Sequence, residues 1–305
     1  MSFVLKISPD DDGRRLDRIL RLQFMNITLG QIMKSIRTGE VTVNGIRVRE
    51  GAFHVSSGDE IEVKWEKGQS VPPKKTSWGK IAVIFHGRNV LILNKPSGML
   101  VQPDEPDGDS IITRVWGVTG TRQAQAVHRL DRNTTGVLAV ALHGQALRAL
   151  EALFKARRVT KIYLAVVIGK APEEITVDAP LLKDSENNTV KVSPEGQRAV
   201  TRITRLASDN DYSLVRIELL TGRTHQARVH CAHIGSPILG DRKYGSFGAN
   251  RAAKIVKRPM LHAYEIGFPE DVDESLAEIS GRVFRADLPN DMKEFVEARG
   301  FLFTL

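Results

Sequence analysis

His128-Arg129-Leu130-Asp131-Arg132-Asn133-Thr134-Thr135-Gly136 runs directly into the apolar stretch Val137-Leu138-Ala139-Val140-Ala141-Leu142. The second half is a continuous aliphatic run of strand length and reads as a buried β-strand. The first half places one carboxylate among two arginines, a histidine and two hydroxyls. A loop that feeds a buried strand is held rigidly by it, so Asp131 is expected at a fixed position on the edge of the core. On these residues alone, a structural ion pair closed by a Thr-Gly turn competes with a catalytic carboxylate. Working outward, short β-branched runs at 90–93, 162–168 and 214–220 alternate with helical patterns, notably 145–158, where Leu147, Leu150 and Phe154 share a side. The strands lack regular βαβ spacing, and no Gly-x-Gly-x-x-Gly or Walker-type loop follows any of them. The pattern predicts a mixed α+β domain without a nucleotide cofactor.

A second loaded segment, Leu220-Thr221-Gly222-Arg223-Thr224-His225-Gln226-Ala227-Arg228-Val229-His230-Cys231-Ala232-His233, follows the run at 214–220 and opens a helical pattern. Three histidines and a cysteine raise the question of zinc. Their offsets of five and three do not match the i, i+4 pair with adjacent Glu of a metalloprotease helix, so no metal is expected. Arg223 and Arg228 are the more useful residues. Either could hold Asp131 ionised, because a guanidinium is permanently charged and pairs with a carboxylate through two N–H groups. Asn94-Lys95-Pro96-Ser97-Gly98 reads as a strand exit, and Tyr163 as a ring at the start of a strand with its hydroxyl hydrogen-bonded. The His-Arg-x-Asp order has the look of a kinase catalytic loop, and Ala171-Pro-Glu173 also occurs. The aspartate is displaced by one position, and neither a glycine-rich loop nor Asp-Phe-Gly is present.

Upstream, the stretch from Arg14 to Arg49 holds eight basic residues, Lys34, Arg37 and Arg47 among them, against Asp17 and Glu40. Leu16, Ile19 and Leu20 fall on one helical face and Arg14, Arg18 and Arg21 on another. Thr28-Leu-Gly-Gln31 has capping-box spacing, and Gly39 is placed to end the helix that follows. Val41 to Val48 alternates around Asn44-Gly45, a pair that tolerates the positive φ of a tight hairpin. The block predicts a small helix-helix-hairpin module. After it, residues 67–80, with a Pro-Pro pair and no apolar period, read as a linker.

The whole chain has 305 residues, about two domains' worth by the usual prior of roughly 150 residues each. With 41% hydrophobic and 26% charged residues it has the composition of a globular protein. Its one cysteine, Cys231, forms no intrachain disulfide and excludes an all-cysteine metal site. No apolar run approaches the roughly 18 residues of a membrane span, and no signal peptide opens the chain. A cytoplasmic protein is expected. A net charge of +8 favours a polyanionic partner.

Together these segments resemble the RluA-type family of pseudouridine synthases, and closely its members that modify large-subunit ribosomal RNA. The matching segments, in the family's order, are Asn94 to Gly98, His128 to Gly136, Lys161-x-Tyr163, Thr221 to His230, Gly240-Asp-Arg-Lys-Tyr244-Gly and Leu261-His-Ala263. Asn133, Thr135 and Ala227 depart from the usual residues without removing a catalytic group. Arg15 to Leu20, Ile36 to Gly45 and Gly58 to Ile61 are similar to the S4 RNA-binding module. The resemblance implies an S4-like module over 1–66, the linker at 67–80, and a synthase domain over 81–305 whose mixed, largely antiparallel sheet is flanked by helices. It implies uridine isomerisation without a cofactor, most plainly in large-subunit ribosomal RNA or pre-ribosomal particles, by a monomer. Asp131 becomes the essential aspartate, Arg228 its partner with Arg223 the fallback, and Tyr163 the residue that stacks on the target base, with assistance to proton removal at C5 a further role open to it. Arg129 would enter the stack vacated by the flipped base. His128, Arg223, Lys34, Arg37 and Arg47 would contact RNA, the last three through phosphates. The competing reading is an RNA-binding or ribosome-assembly factor with an idle synthase domain.

Overall fold

The computed structural model describes residues 2–24, 27–64, 80–105, 108–119, 122–184, 186–245 and 256–301. The linker expected at 67–80 lies outside them, apart from Lys80. The N-terminal block contains β1 (Ser2–Lys6), α1 (Leu16–Gln23), α2 (Leu29–Thr38), β2 (Val41–Val43), β3 (Ile46–Arg47) and β4 (Glu60–Lys64). Its sheet has the order β1-β4-β2-β3, antiparallel throughout. The expected helix-helix-hairpin is present, and β1 and β4 complete its sheet.

The local devices are those expected. Gln31 N–H donates to the Thr28 side chain at 3.3 Å, and Thr28 N–H donates back to Gln31 Oε1 at 2.9 Å. Gly39 closes α2 at φ 77°, and the hairpin turn carries Asn44 at φ 51° and Gly45 at φ 77°. Leu16, Ile19 and Leu20 are buried with Ile32, Ile36, Val41 and Ile61, while Lys34, Arg37 and Arg47 stay exposed. The helices therefore present an apolar face to the sheet and keep a cationic one in water.

From residue 82 the elements are β5 (Ala82–His86), β6 (Val90–Lys95), α3 (Ile111–Thr119), β7 (Gln125–Ala126), β8 (Thr135–Ala141) and α4 (Gly144–Lys155). Then follow β9 (Thr160–Ile168), β10 (Glu174–Asp178), the hairpin β11 (Leu181–Asp184) and β12 (Thr189–Val192), β13 (Val200–Ser208) and β14 (Tyr212–Leu219). The last are α5 (Gln226–His233), β15 (Leu261–Gly267), β16 (Val283–Arg285) and α6 (Asn290–Ala298). The main sheet runs β10-β13-β14-β9-β15-β8-β6-β5, with β16 beside β15 and β7 beside β8. Only the β15/β8 pair among these is parallel.

Strand β8 is buried at all seven positions, and its side chains alternate between two cores. Leu138 and Val140 join Ile111 and Val115 of α3 and Ala227 and Cys231 of α5. Val137, Ala139 and Ala141 join Ala146, Leu150 and Leu153 of α4. Period-two side chains sandwiched between helices explain why a continuous apolar run was required. Helix α4 stops at Lys155, short of the expected 158, because Arg157 turns the chain at φ 58° into β9. Its inward face centres on Leu150, with Leu147 and Phe154 only partly buried at its margins.

Candidate active site

Asp131 sits in the loop that enters β8, and three contacts fix that loop. Lys95, at the end of the neighbouring strand β6, is fully buried, and its Nζ donates to the carbonyls of Pro96, Arg132 and Thr134, each at 2.9 Å. Burial pushes the Lys95 ammonium down to about 8, with the Asp131 charge opposing the shift and Arg258 adding to it. Thr134 N–H closes a turn onto the Asp131 carbonyl at 3.0 Å. Gly136, at φ 115°, pairs with Ala263 so closely that a Cβ there would stand 2.1 Å from the Ala263 carbonyl oxygen. Any side chain would push β15 from β8 and carry the Asp131 loop with it.

The same row of the sheet brings in the tyrosine. Ala263 of β15 pairs with Gly136 on one side and with Tyr163 of β9 on the other. Tyr163 faces the core shared with α5 and lines one cleft with Asp131, Arg129, Arg223, His225 and Arg228. Burial, helped by the Asp131 charge, pushes the Tyr163 phenol upward, so it stays protonated at physiological pH.

Helix α5 supplies the arginine. Gln226 anchors its first turn: Oε1 accepts from Thr221 Oγ1 at 2.7 Å and from Arg223 N–H at 3.0 Å, while Nε2 donates to Val200 O and Thr201 Oγ1 at 2.9 Å each. Two residues on, Arg228 donates Nη1–H to Asp131 Oδ2 at 3.0 Å. Its other edge is taken by Asp241, with Nε to Oδ2 at 2.7 Å and Nη2 to Oδ1 at 2.8 Å. The Asp241 side chain is 1% exposed, Arg228 12% and Asp131 23%, so only Asp131 reaches the cleft appreciably. Burial alone would push Asp241 up. The hydrogen bonds and charge of Arg228, with the N–H groups of Lys243 and Tyr244, outweigh it and hold the carboxyl below its ordinary range. Burial likewise opposes the Arg228 charge, and Asp241 and Asp131 together raise its pKa in spite of it. Asp241 thus takes the bidentate fork for orientation, and one of the N–H groups that remain goes to the carboxylate that faces the cleft.

His225 precedes α5 in a left-handed conformation at φ 54°, a cost of about 1–2 kcal/mol for a residue with a Cβ. Its Nδ1 lies 2.7 Å from the Tyr244 hydroxyl and its Nε2 3.7 Å from Asp131 Oδ2. Burial leads the causes that lower its pKa, the Asp131 charge opposing and Arg228 and Lys243 adding to the fall.

Of the two candidate arginines, the structure brings Arg228 to Asp131. Arg223 lines the cleft, but its Nε donates to the Arg198 carbonyl at 3.1 Å. Arg129 is exposed at the rim. His128, expected to contact RNA, has its Nε2 accepting the Ala139 N–H at 3.0 Å and its ring stacked on Phe154 with centroids 4.9 Å apart. Burial, with the Lys161 charge, pushes His128 down to about 3, so its ring is spent on joining the loop to β8 and α4. Lys34, Arg37 and Arg47 lie on the N-terminal block and line no part of the cleft. His230 uses both ring nitrogens structurally, on Thr201 Oγ1 at 2.8 Å and the Ala179 carbonyl at 3.0 Å. Among the described residues no group of three His, Cys, Asp or Glu is arranged to hold a metal ion.

Sequence reasoning missed Lys95, Asp241 and Tyr244 as site residues, and weighed His225 only as a metal ligand. A signal existed for Asp241, a carboxylate directly after the apolar Ile238-Leu239 and a glycine. None tied it to Arg228.

A profile for RNA pseudouridylate synthases matches residues 89–233, and one for S4 domains matches 14–61. "Ribosomal large subunit pseudouridine synthase C" of Vibrio cholerae is 36% identical over 90% of this chain and 91% of that protein. "Ribosomal large subunit pseudouridine synthase D" of Haemophilus ducreyi is 31% identical over 98% and 94%. Among solved structures, "Human RNA Pseudouridylate Synthase Domain Containing 4" superposes with a TM-score of 0.58 at 25% identity, covering 71% of this chain and 92% of that one. The identity extends over nearly all of both proteins, and the matched region contains the Asp131, Tyr163 and Arg228 constellation, so the chain belongs to the RNA pseudouridylate synthase family, enzymes that isomerise uridine in RNA to pseudouridine.

Proposed function

We propose that the protein isomerises uridines of large-subunit ribosomal RNA, with Asp131 as the catalytic residue. The observation that carries this reading is the Asp241-Arg228-Asp131 array. A buried carboxylate orients an arginine, and the arginine donates to a second carboxylate at the mouth of a cleft. Pseudouridine formation breaks the N1–C1′ bond, turns the base and joins C5 to C1′. The C5 proton leaves to solvent and N1 gains one, so the reaction balances without redox partner or energy donor. Asp131 must be an anion whether it attacks the ribose carbon or takes a ribose proton, and the Arg228 guanidinium 3.0 Å away supplies the opposite charge such an anion needs when RNA displaces water. Tyr163, protonated, stacks on the extruded base rather than serving as a phenolate base. Arg129 at the rim enters the vacated stack.

The two relatives named for the ribosomal large subunit support the choice of RNA, as does the S4 domain with exposed Lys34, Arg37 and Arg47 on phosphates. The proposed organisation is an S4 module over 1–66, a linker over 67–80 and the catalytic domain over 81–305, acting as a cytoplasmic monomer. The test is to incubate the protein with transcripts of large-subunit RNA, small-subunit RNA and transfer RNA. New pseudouridines are then mapped by carbodiimide adducts that stop primer extension. Stops confined to large-subunit RNA are expected; stops only in the other RNAs would overturn the substrate assignment.

A further inference from the structure

His225 and Tyr244 form a hydrogen-bonded pair beside Asp131. The left-handed backbone of His225 is shared, among described non-glycine residues, by Asn44, Asn188 and Arg157. Asparagine and histidine are both enriched there among residues with a Cβ, and the conformation persists where the surroundings hold it. The surroundings here are a hydrogen-bonded chain. Val190 of β12 donates its N–H to the Tyr244 hydroxyl oxygen at 3.0 Å. That hydroxyl, already accepting, has its own proton to give, and His225 Nδ1 stands 2.7 Å away. The Asp131 charge on the far side of the ring favours a proton at Nε2, so both ends of the imidazole select the same tautomer. The charged groups facing the ring are Asp131, Arg228, Lys243 and Asp241.

The consequence lies in Oδ2 of Asp131. Arg228 gives it a single N–H at 3.0 Å, and one donor leaves a carboxylate free to rotate. His225 Nε2 approaches the same oxygen at 3.7 Å. That is longer than a hydrogen bond, a separation that commonly tightens once substrate fills a catalytic site. We propose that His225, its proton held on Nε2 by Tyr244, is a positioning residue that fixes Oδ2 of Asp131 together with Arg228 and so directs Oδ1 to the ribose of the flipped uridine. This rests on the reading of Asp131 as the catalytic carboxylate. A neutral donor adds direction without a second positive charge that would weaken the carboxylate as a nucleophile or base.

The experiment is single-turnover release of tritium from C5-labelled RNA, with RNA affinity and melting temperature measured on each variant. His225→Gln places an amide N–H near the position of Nε2. His225→Asn suits the left-handed backbone and the Tyr244 contact but is too short to reach Asp131. His225→Leu supplies neither the acceptor for Tyr244 nor the donor for Asp131. The glutamine variant is expected within about threefold of wild type, and the asparagine and leucine variants about 10- to 100-fold slower, the worth of one hydrogen bond to a charged group, with RNA affinity unchanged. Nitrogen-15 spectra of wild type, with the His225 signal identified by its loss in His225→Gln, should show the proton on Nε2. In Tyr244→Phe, which keeps the ring beneath Arg228, the proton should no longer be confined there. Asparagine as fast as glutamine, equal rates in all variants, or a wild-type proton on Nδ1 would each overturn the proposal. Wild type that binds RNA yet releases no tritium would instead overturn the reading of Asp131 on which it depends.

Discussion

Arg228 makes three hydrogen bonds to two carboxylates, and each end of it has a different task. The fork held by Asp241 sets where the guanidinium lies, and a further N–H, on Nη1, sets where Asp131 lies. Lysine has one nitrogen on a flexible stem and cannot do both. Arg228→Lys is therefore expected to lower single-turnover tritium release by about 100-fold, the order found when one preorganised donor is removed, while RNA affinity is kept; a variant within severalfold of wild type would show that charge alone suffices. At this scale the sequence was half legible. Asp131, Tyr163 and Arg228 stood in motifs, and the array confirms that Arg228, not Arg223, reaches Asp131. Asp241 and Lys95 stood in motifs too, but their roles were opaque because the work is done across the fold, thirteen residues from Arg228 in one case and through the backbone of the loop entering β8 in the other. The structural role of His128 was not legible either, because a histidine beside a reactive aspartate carries no mark of the Ala139 amide bonded to its ring.

Strands β8 and β15 are the elements that make the site, since their parallel pairing aligns the Asp131 loop with Tyr163. Buried His262 pins that pairing. Its Nδ1 lies 2.8 Å from Thr135 Oγ1 of β8 and its Nε2 3.1 Å from the Ala286 carbonyl. A carbonyl only accepts, so Nε2 carries the proton and Nδ1 takes the threonine hydrogen. Burial pushes His262 down to about 4, the Ala286 carbonyl only partly offsetting it. Below the ordinary histidine value of about 6.5 the unfolded chain therefore binds a proton that the folded chain refuses, and stability falls as pH falls from there towards about 4, by roughly 3 kcal/mol for this group. Melting temperature against pH should drop over that window in wild type and more shallowly in His262→Gln; parallel curves would show that His262 is not the titrating group. The strand runs themselves were legible because continuous aliphatic stretches between turn residues have few other uses. What could not be read was β15 beside β8, a pairing between residues more than a hundred positions apart. The end of α4 escaped too, set by the left-handed Arg157 rather than by any breaker residue.

Across the whole molecule, the chain joins a catalytic sheet to an S4 domain with exposed Lys34, Arg37 and Arg47. Phosphate contacts position without reading sequence, and each one adds to the salt dependence of binding. Replacing these three residues with alanine should weaken binding to every RNA alike and flatten the slope of log affinity against log salt by about two to three. The rate at saturating RNA should be kept. An unchanged slope would place the phosphate contacts elsewhere. The central claim is that Asp131 carries the chemistry, and the most direct test is tritium release from RNA labelled at uridine C5, with wild type and Asp131→Asn side by side at matched RNA occupancy. Asparagine keeps the shape of the residue and removes its charge. Release by wild type and none by Asp131→Asn, with equal RNA affinity, is the predicted result; continued release by the mutant would contradict the account.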